Sequence, residues 1–146
     1  MPSRDSIHLA IAQALINDGW EITDDPYVIS YGERFLFVDL AAKSTQPRIV
    51  SQFISARRDD REIAVEIKAF RGRSAIADLE QAIGQYSLYR LLLEELDPDK
   101  ELYLAVTIET FEELFSEPIG RLVVQKLPLK LIIVDTVAAE VIRWIS

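Results

Sequence analysis

Apolar residues recur along this chain in two rhythms, one of three to four residues and one of two. Ile7, Ala10, Ile11, Ala14 and Leu15 fall on one stripe, which predicts a first helix capped by Ser3 or Ser6 and stopped near Asp18 by Gly19. Residues 20–23 (WEIT) read as a short strand, broken by Asp24-Asp25-Pro26, and residues 27–31 (YVISY) as a second, ended by Gly32. Phe35, Leu36, Phe37, Val38 and Leu40 form a nearly continuous apolar run, the pattern of a strand covered on both faces, and Asp39 interrupts it near its end. The signal then weakens over residues 41–60. Pro47 breaks it, residues 49–54 fit a strand or a helical turn, and residues 57–61 read as a charged loop or a solvated hairpin tip.

Alternation returns over residues 62–70 (EIAVEIKAF). A strand here places Ile63, Val65 and Ile67 on one face, with Glu62, Ala64, Glu66 and Lys68 on the other. Ser74 then caps the strongest helical stripe of the chain, Ala75, Leu79, Ala82, Tyr86, Tyr89, Leu93 and Leu96, which Pro98 stops. Residues 102–108 read as a strand and 111–115 as a short helix. Pro118 opens another helix at its favoured first position, and strands follow at 129–134 and 141–144. Strands interleaved with helices, the early strands adjacent, predict an α/β fold: one domain over residues 1–146 with a mixed central sheet flanked by helices. No repeat or internal linker interrupts it.

Composition narrows the chemistry. The 146 residues are 49% apolar and 27% charged, proportions of an ordinary globular domain rather than a disordered chain. There is no Cys and a single His, His8, so disulfide scaffolds, zinc ribbons, thiol nucleophiles and multi-His metal sites are excluded. Any catalysis must rest on carboxylates, Lys or a carboxylate-bound hard cation such as Mg²⁺. No run reaches the roughly 18 apolar residues of a membrane span, and the N-terminus lacks the apolar core of a signal peptide, which predicts a cytoplasmic protein.

Charge is unevenly spread. The net charge is −8, and the window 94–117 carries all of it, nine carboxylates against Lys100 alone. The stretch 48–73 holds seven cations against four carboxylates. The linear sequence therefore predicts an acidic end and a mildly basic one. The acid excess runs against free duplex DNA binding, which is driven by phosphate neutralisation.

The one constellation with chemical content is Asp39 with Glu66 and Lys68. Glu66 and Lys68 lie two apart and share a face; if their strand neighbours that of Asp39, three ionisable side chains converge at one end of the sheet. Two readings fit. One is a same-face ion pair on an exposed strand. In the other, two close carboxylates are relieved of repulsion and desolvation by a divalent cation, while the Lys68 ammonium orients a water or steadies developing negative charge. On the helix that follows, Gly84 reads as a close approach to the sheet, and the Gln85 amide either reaches toward the carboxylates or is solvated. Tyr86, Tyr89, Trp20 and Trp144 read as core. His8 reads as a satisfied or exposed histidine and Glu21 as a surface residue.

DGW (18–20), FVDL (37–40), AVEIKAF (64–70), AIGQYSLYR (82–90), LYLAV (102–106), LKLIIVD (129–135) and EVIRWI (140–145) follow in order. This set resembles the XisH family, the fdxN-element excision controlling factors of cyanobacteria, over essentially the full length. The resemblance implies a restriction-endonuclease-like fold of the PD-(D/E)xK type. It also implies a role in the excision of a DNA element during heterocyst differentiation, and a small companion protein, XisI. By position, Asp39 matches the motif aspartate, Glu66 and Lys68 the E-x-K pair, and Gln85 the helix glutamine of such nucleases. A nuclease site of this kind holds Mg²⁺, or Mn²⁺ in its place, on Asp39, Glu66 and the Ile67 carbonyl, with Lys68 positioning the attacking water. The chain departs from the family where a DLGAE-like continuation is replaced by Asp39-Leu40-Ala41-Ala42-Lys43 and the segment 41–61 is long. The alternative is a non-catalytic platform for DNA or for a XisI-type partner; a homodimer through the free remainder of the sheet is compatible with either.

Overall fold

The computed structural model describes residues 4–25, 27, 53–70 and 74–146. Within them a six-stranded mixed sheet lies between two helical layers, the α/β arrangement expected from the interleaved rhythms. The elements are α1 (Arg4–Asn17), β1 (Glu21–Asp24), β2 (Phe53–Arg58), β3 (Arg61–Ile67), α2 (Ala75–Leu96), β4 (Lys100–Thr107), α3 (Ile108–Thr110), α4 (Pro118–Lys126), β5 (Leu131–Asp135) and β6 (Glu140–Ile145). A π-helical turn, Phe111–Phe115, follows directly on α3.

The strands lie in chain order across the sheet. β3, β4 and β5 run parallel in the middle, and the pairs β1/β2, β2/β3 and β5/β6 are antiparallel. Parallel neighbours need crossover connections, and α2 and the α3–α4 segment supply them. The alternation along β3 sorts its residues as predicted. Ile63, Val65 and Ile67 join Ile7, Ile11, Ala14, Leu15 and Trp20 in the core under α1. Ala64 faces the opposite core, built with Leu79, Ala82, Tyr86, Tyr89 and Leu93 of α2. Each of the Val, Leu and Ile side chains among them contributes about 1.5–3 kcal/mol when fully withdrawn from water, so the two cores clamp the sheet from both sides.

Local chemistry sets the helix ends. The Ser74 hydroxyl accepts from Ala77 N at 3.1 Å, and Thr107 Oγ1 does the same for Thr110 N at 3.2 Å. Gly120 lies where α4 folds back on the π turn; a Cβ there would run into the Leu114 carbonyl and the Phe115 Cα.

Several expectations are revised. Residues 57–61 are not a loop: Arg57 and Arg58 end β2, Asp59 and Asp60 make a two-residue turn with Asp59 at φ 55°, and Arg61 opens β3. The hairpin tip is thus correct and the loop was too long. β3 ends at Ile67 rather than at Phe70. Gly84 does not approach the sheet; it is exposed, and among the described residues nothing lies within 4 Å of a Cβ built on it. The acidic window is also divided. Because β4 runs the length of the sheet, Glu94 to Glu101 lie at one pole and Glu109 to Glu117 at the other. At the first pole Arg61 and Lys130 reach Glu101 at 3.3 and 3.4 Å, so the basic hairpin tip neutralises part of the acid. The strand expected over 35–40, Asp39, and residues 28–31 and 41–52 lie outside the described residues. Among the described residues no helix is long and apolar enough to cross a membrane.

Candidate functional site

Glu66 follows Ala64 on β3 and, by the same alternation, points toward the α2 layer. Its neighbours in register are Phe53 on β2 and Leu104 on β4. The side chain is buried, with the residue only 3% exposed, and its Oε1 has no hydrogen-bond partner among the described residues. Burial pushes the carboxyl up to about 8, against a small opposing pull from the Lys68 ammonium. An unpaired carboxylate in apolar surroundings is costly, and here the proton is retained instead.

Lys68 lies just past the end of β3, where its backbone N–H still donates to Ala105 O at 3.3 Å. Its Nζ donates to Gln81 Oε1 at 2.7 Å on α2. The lysine is thereby held over the C-terminal end of the parallel strands, on the same side as Glu66. In open α/β sheets this is the end at which ligands gather. Glu66 and Lys68 are therefore brought to one face and one end of the sheet, but they are not a solvated ion pair. One is buried, and the other is engaged by an amide. Gln85 is half-buried one turn beyond Gln81 on α2. Asp39 lies outside the described residues.

Gln81 is the contact that the sequence reading missed. Its signal was the four-residue spacing of Gln81 and Gln85, which puts two amides on one side of α2. The remaining candidates behave as ordinary structure. His8 Nε2 is 2.7 Å from Asp25 Oδ1, and Glu21 accepts from Arg57 at 2.8 Å on the surface. The Tyr86 hydroxyl donates to Leu102 O and accepts from Lys130 N, which ties α2 to β4 and to the start of β5. Trp20 is buried, with Trp144 5.5 Å away between ring centroids.

The opposite pole carries a second buried ionisable group. Lys100 Nζ donates to Ser55 Oγ at 2.7 Å, lies 3.7 Å from Glu62 and 3.6 Å from Asp97, and stands 4.3 Å over the Tyr27 ring. A cleft of about 200 Å³ opens beside it, lined by Tyr86, Arg90, Lys100, Glu101 and Lys130. Its cations already have partners: Lys130 in Glu101, and Arg90 in the Leu127 and Pro128 carbonyls. The carboxyl of Glu101 is pushed up by burial, but Arg61 and Lys130 outweigh this and hold it below the usual range.

A buried, unpartnered oxygen is a fit for a hard divalent cation, which takes carboxylate oxygens and waters. Among the described residues no group of three or more His, Asp or Glu side chains converges on one point; of the three expected ligands they include Glu66 and Ile67.

Three comparisons bear on this arrangement. Residues 1–142 match the family model XisH, described as XisH protein. The fold is similar to that of an XisH family protein from Nostoc punctiforme PCC 73102. The two are 31% identical, with 97% of this chain and 100% of the other covered and a TM-score of 0.81. A fdxN element excision controlling factor protein from Anabaena variabilis is 33% identical, with 98% and 100% covered and a TM-score of 0.82. No curated protein matches.

Proposed function

Since this chain belongs to the XisH family, we propose that it acts as an excision controlling factor for a DNA element, on a restriction-endonuclease-like fold with a PD-(D/E)xK-type cation site. The observation that carries the reading is the Glu66 carboxyl, buried with an unpartnered oxygen on the side of the sheet where Gln81 holds Lys68. Asp39, Glu66 and the Ile67 carbonyl would hold Mg²⁺ or Mn²⁺. Such an ion polarises a phosphoryl oxygen and acidifies a bound water. The chain's own contribution is separate from that. Glu66 supplies a carboxylate from a site that excludes water, at the cost of giving up its proton. Lys68, a point charge on a flexible stem, is held by the Gln81 amide and is placed to orient a water or to oppose negative charge developing on a phosphate.

A second reading is favoured by the net charge of −8. Phosphate neutralisation drives duplex DNA binding, and this surface has little to offer it. In that reading the fold is a platform that meets DNA only alongside a companion of the XisI type. Incubating the protein, with and without such a companion, with duplex DNA and Mg²⁺ or Mn²⁺ separates the two. Metal-dependent cleavage that disappears in Lys68→Ala supports the nuclease. Absence of cleavage in every combination, with partner or DNA binding intact in Lys68→Ala, supports the platform.

A further inference from the structure

Helix α2 has a second face. Pointing away from the core, Ala77, Gln81, Gly84, Leu88, Leu91 and Glu95 succeed one another at intervals of four, three, four, three and four, and all six are exposed. That alternation is the spacing of a seam between two helices. Leu88 and Leu91 are its apolar positions, 43% and 60% exposed. Gly84 stands at its centre. Apart from proline, glycine is the poorest residue for a helix interior, and among the described residues no neighbour within 4 Å gives a packing reason for it. A second helix does give one, because a position without a side chain lets another backbone come close.

Charge selects among occupants. Glu95 ends the seam and Glu80 and Glu94 flank it; all three are exposed, and no ion pair engages them among the described residues. The cation on α2, Arg90, is directed to the Leu127 and Pro128 carbonyls. A second copy laid on this face would bring carboxylates against carboxylates. A helix with lysines or arginines beside its apolar positions meets both the leucines and the acids.

We propose that the outer face of α2 docks an amphipathic, basic helix of a partner protein, seated over Gly84 and anchored on Leu88 and Leu91. The anchors Gly84, Leu88 and Leu91 stand apart from Glu66 and Lys68; Gln81, which holds Lys68, lies toward the N-terminal end of the face, so the test is read at the anchors. It is tested with two labelled synthetic helices that share one leucine seam, one flanked by lysines and the other by glutamates. Fluorescence anisotropy against the whole protein should show binding of the basic helix alone, weakening as salt is raised. Leu88→Glu with Leu91→Glu should weaken it at least tenfold. Gly84→Gln should raise the thermal midpoint of the free protein while weakening the helix at least fivefold. The proposal is overturned if neither helix binds, if both bind equally, or if the three substitutions leave the affinity unchanged. It is overturned as well if sedimentation shows a homodimer that Leu91→Glu dissociates, for then the occupant is a second copy.

Discussion

Glu66 and Lys100 are both buried ionisable side chains on the α2 side of the sheet, on adjacent parallel strands, yet the fold treats them in opposite ways. Lys100 is surrounded by oxygen: the Ser55 hydroxyl, the carboxylates of Glu62 and Asp97, and the face of the Tyr27 ring. Glu66, four residues along β3 from Glu62, retains an oxygen with no partner among the described residues. One pole is a finished piece of structure. The other is an unsatisfied one, held in place by the same strand. A buried charge with partners stabilises the chain that carries it, whereas a buried group without them marks a position whose energetic account is closed by something else.

The contrast is broken most strongly at Glu66 itself. With a folded-state value near 8 and an unfolded value near 4.5, the protonated group favours the folded state in full below about pH 4.5. That advantage is lost as pH rises toward 8, because over this window the folded chain binds the extra proton. Glu66→Gln should therefore change stability by less than about 1 kcal/mol at pH 5 and raise it by roughly 5 kcal/mol at pH 9. Urea unfolding across that range checks it, and an unaltered pH dependence in the variant would show that Glu66 is not buried as an acid. At the opposite pole, Lys100→Ala should cost about 3 kcal/mol, since it empties a buried position and takes from Glu62 and Asp97 the cation they share while Ser55 keeps Thr23, and Lys100→Met should cost less. Denaturation midpoints measured for both separate the loss of charge from the loss of packing.

Smaller changes sharpen the picture. Ser74→Ala removes the cap of α2 and should cost about 1 kcal/mol, read as a shift in thermal midpoint, with the Glu66 pH dependence retained. Gln81→Ala should change stability by less than about 0.5 kcal/mol, because the Lys68 contact is exposed. Its effect belongs to Lys68: where metal-dependent cleavage is found, the rate should fall while KM for DNA is kept, and Gln81→Glu should restore part of it. A fall in stability equal to the fall in rate would make Gln81 a structural residue only.

Much of this was legible along the chain. The two-residue rhythm of β3 set Glu66 on the face away from Ile63, Val65 and Ile67, and the stripe of α2 named much of the core that lies on that face. What escaped depended on distance in sequence or on weak local signals. β2 was ambiguous because Ser55 and two arginines dilute its apolar pattern, although Ile54, Ser55 and Ala56 are all buried. The burial of Lys100 could not be read, since its main partner lies 45 residues away. The acidic window looked continuous on paper and is divided in space by the length of β4. Gly84 was read against the wrong side of its helix. Periodicity says which side of a helix is apolar, but a single glycine carries no such direction.

The two-residue turn at Asp59 and Asp60 bears on how the molecule assembles. It closes the β2–β3 hairpin with almost no loop, whereas β4 reaches β3 only after the 22 residues of α2 have been laid down. Local pairings are cheap in closure entropy and distant parallel ones are not. The hairpin is therefore expected to form early on the folding route, with β4 docking later. Substitutions in the hairpin core, such as Ile63→Val, should then slow refolding, while Val106→Ala should mainly hasten unfolding, a difference that stopped-flow kinetics resolves.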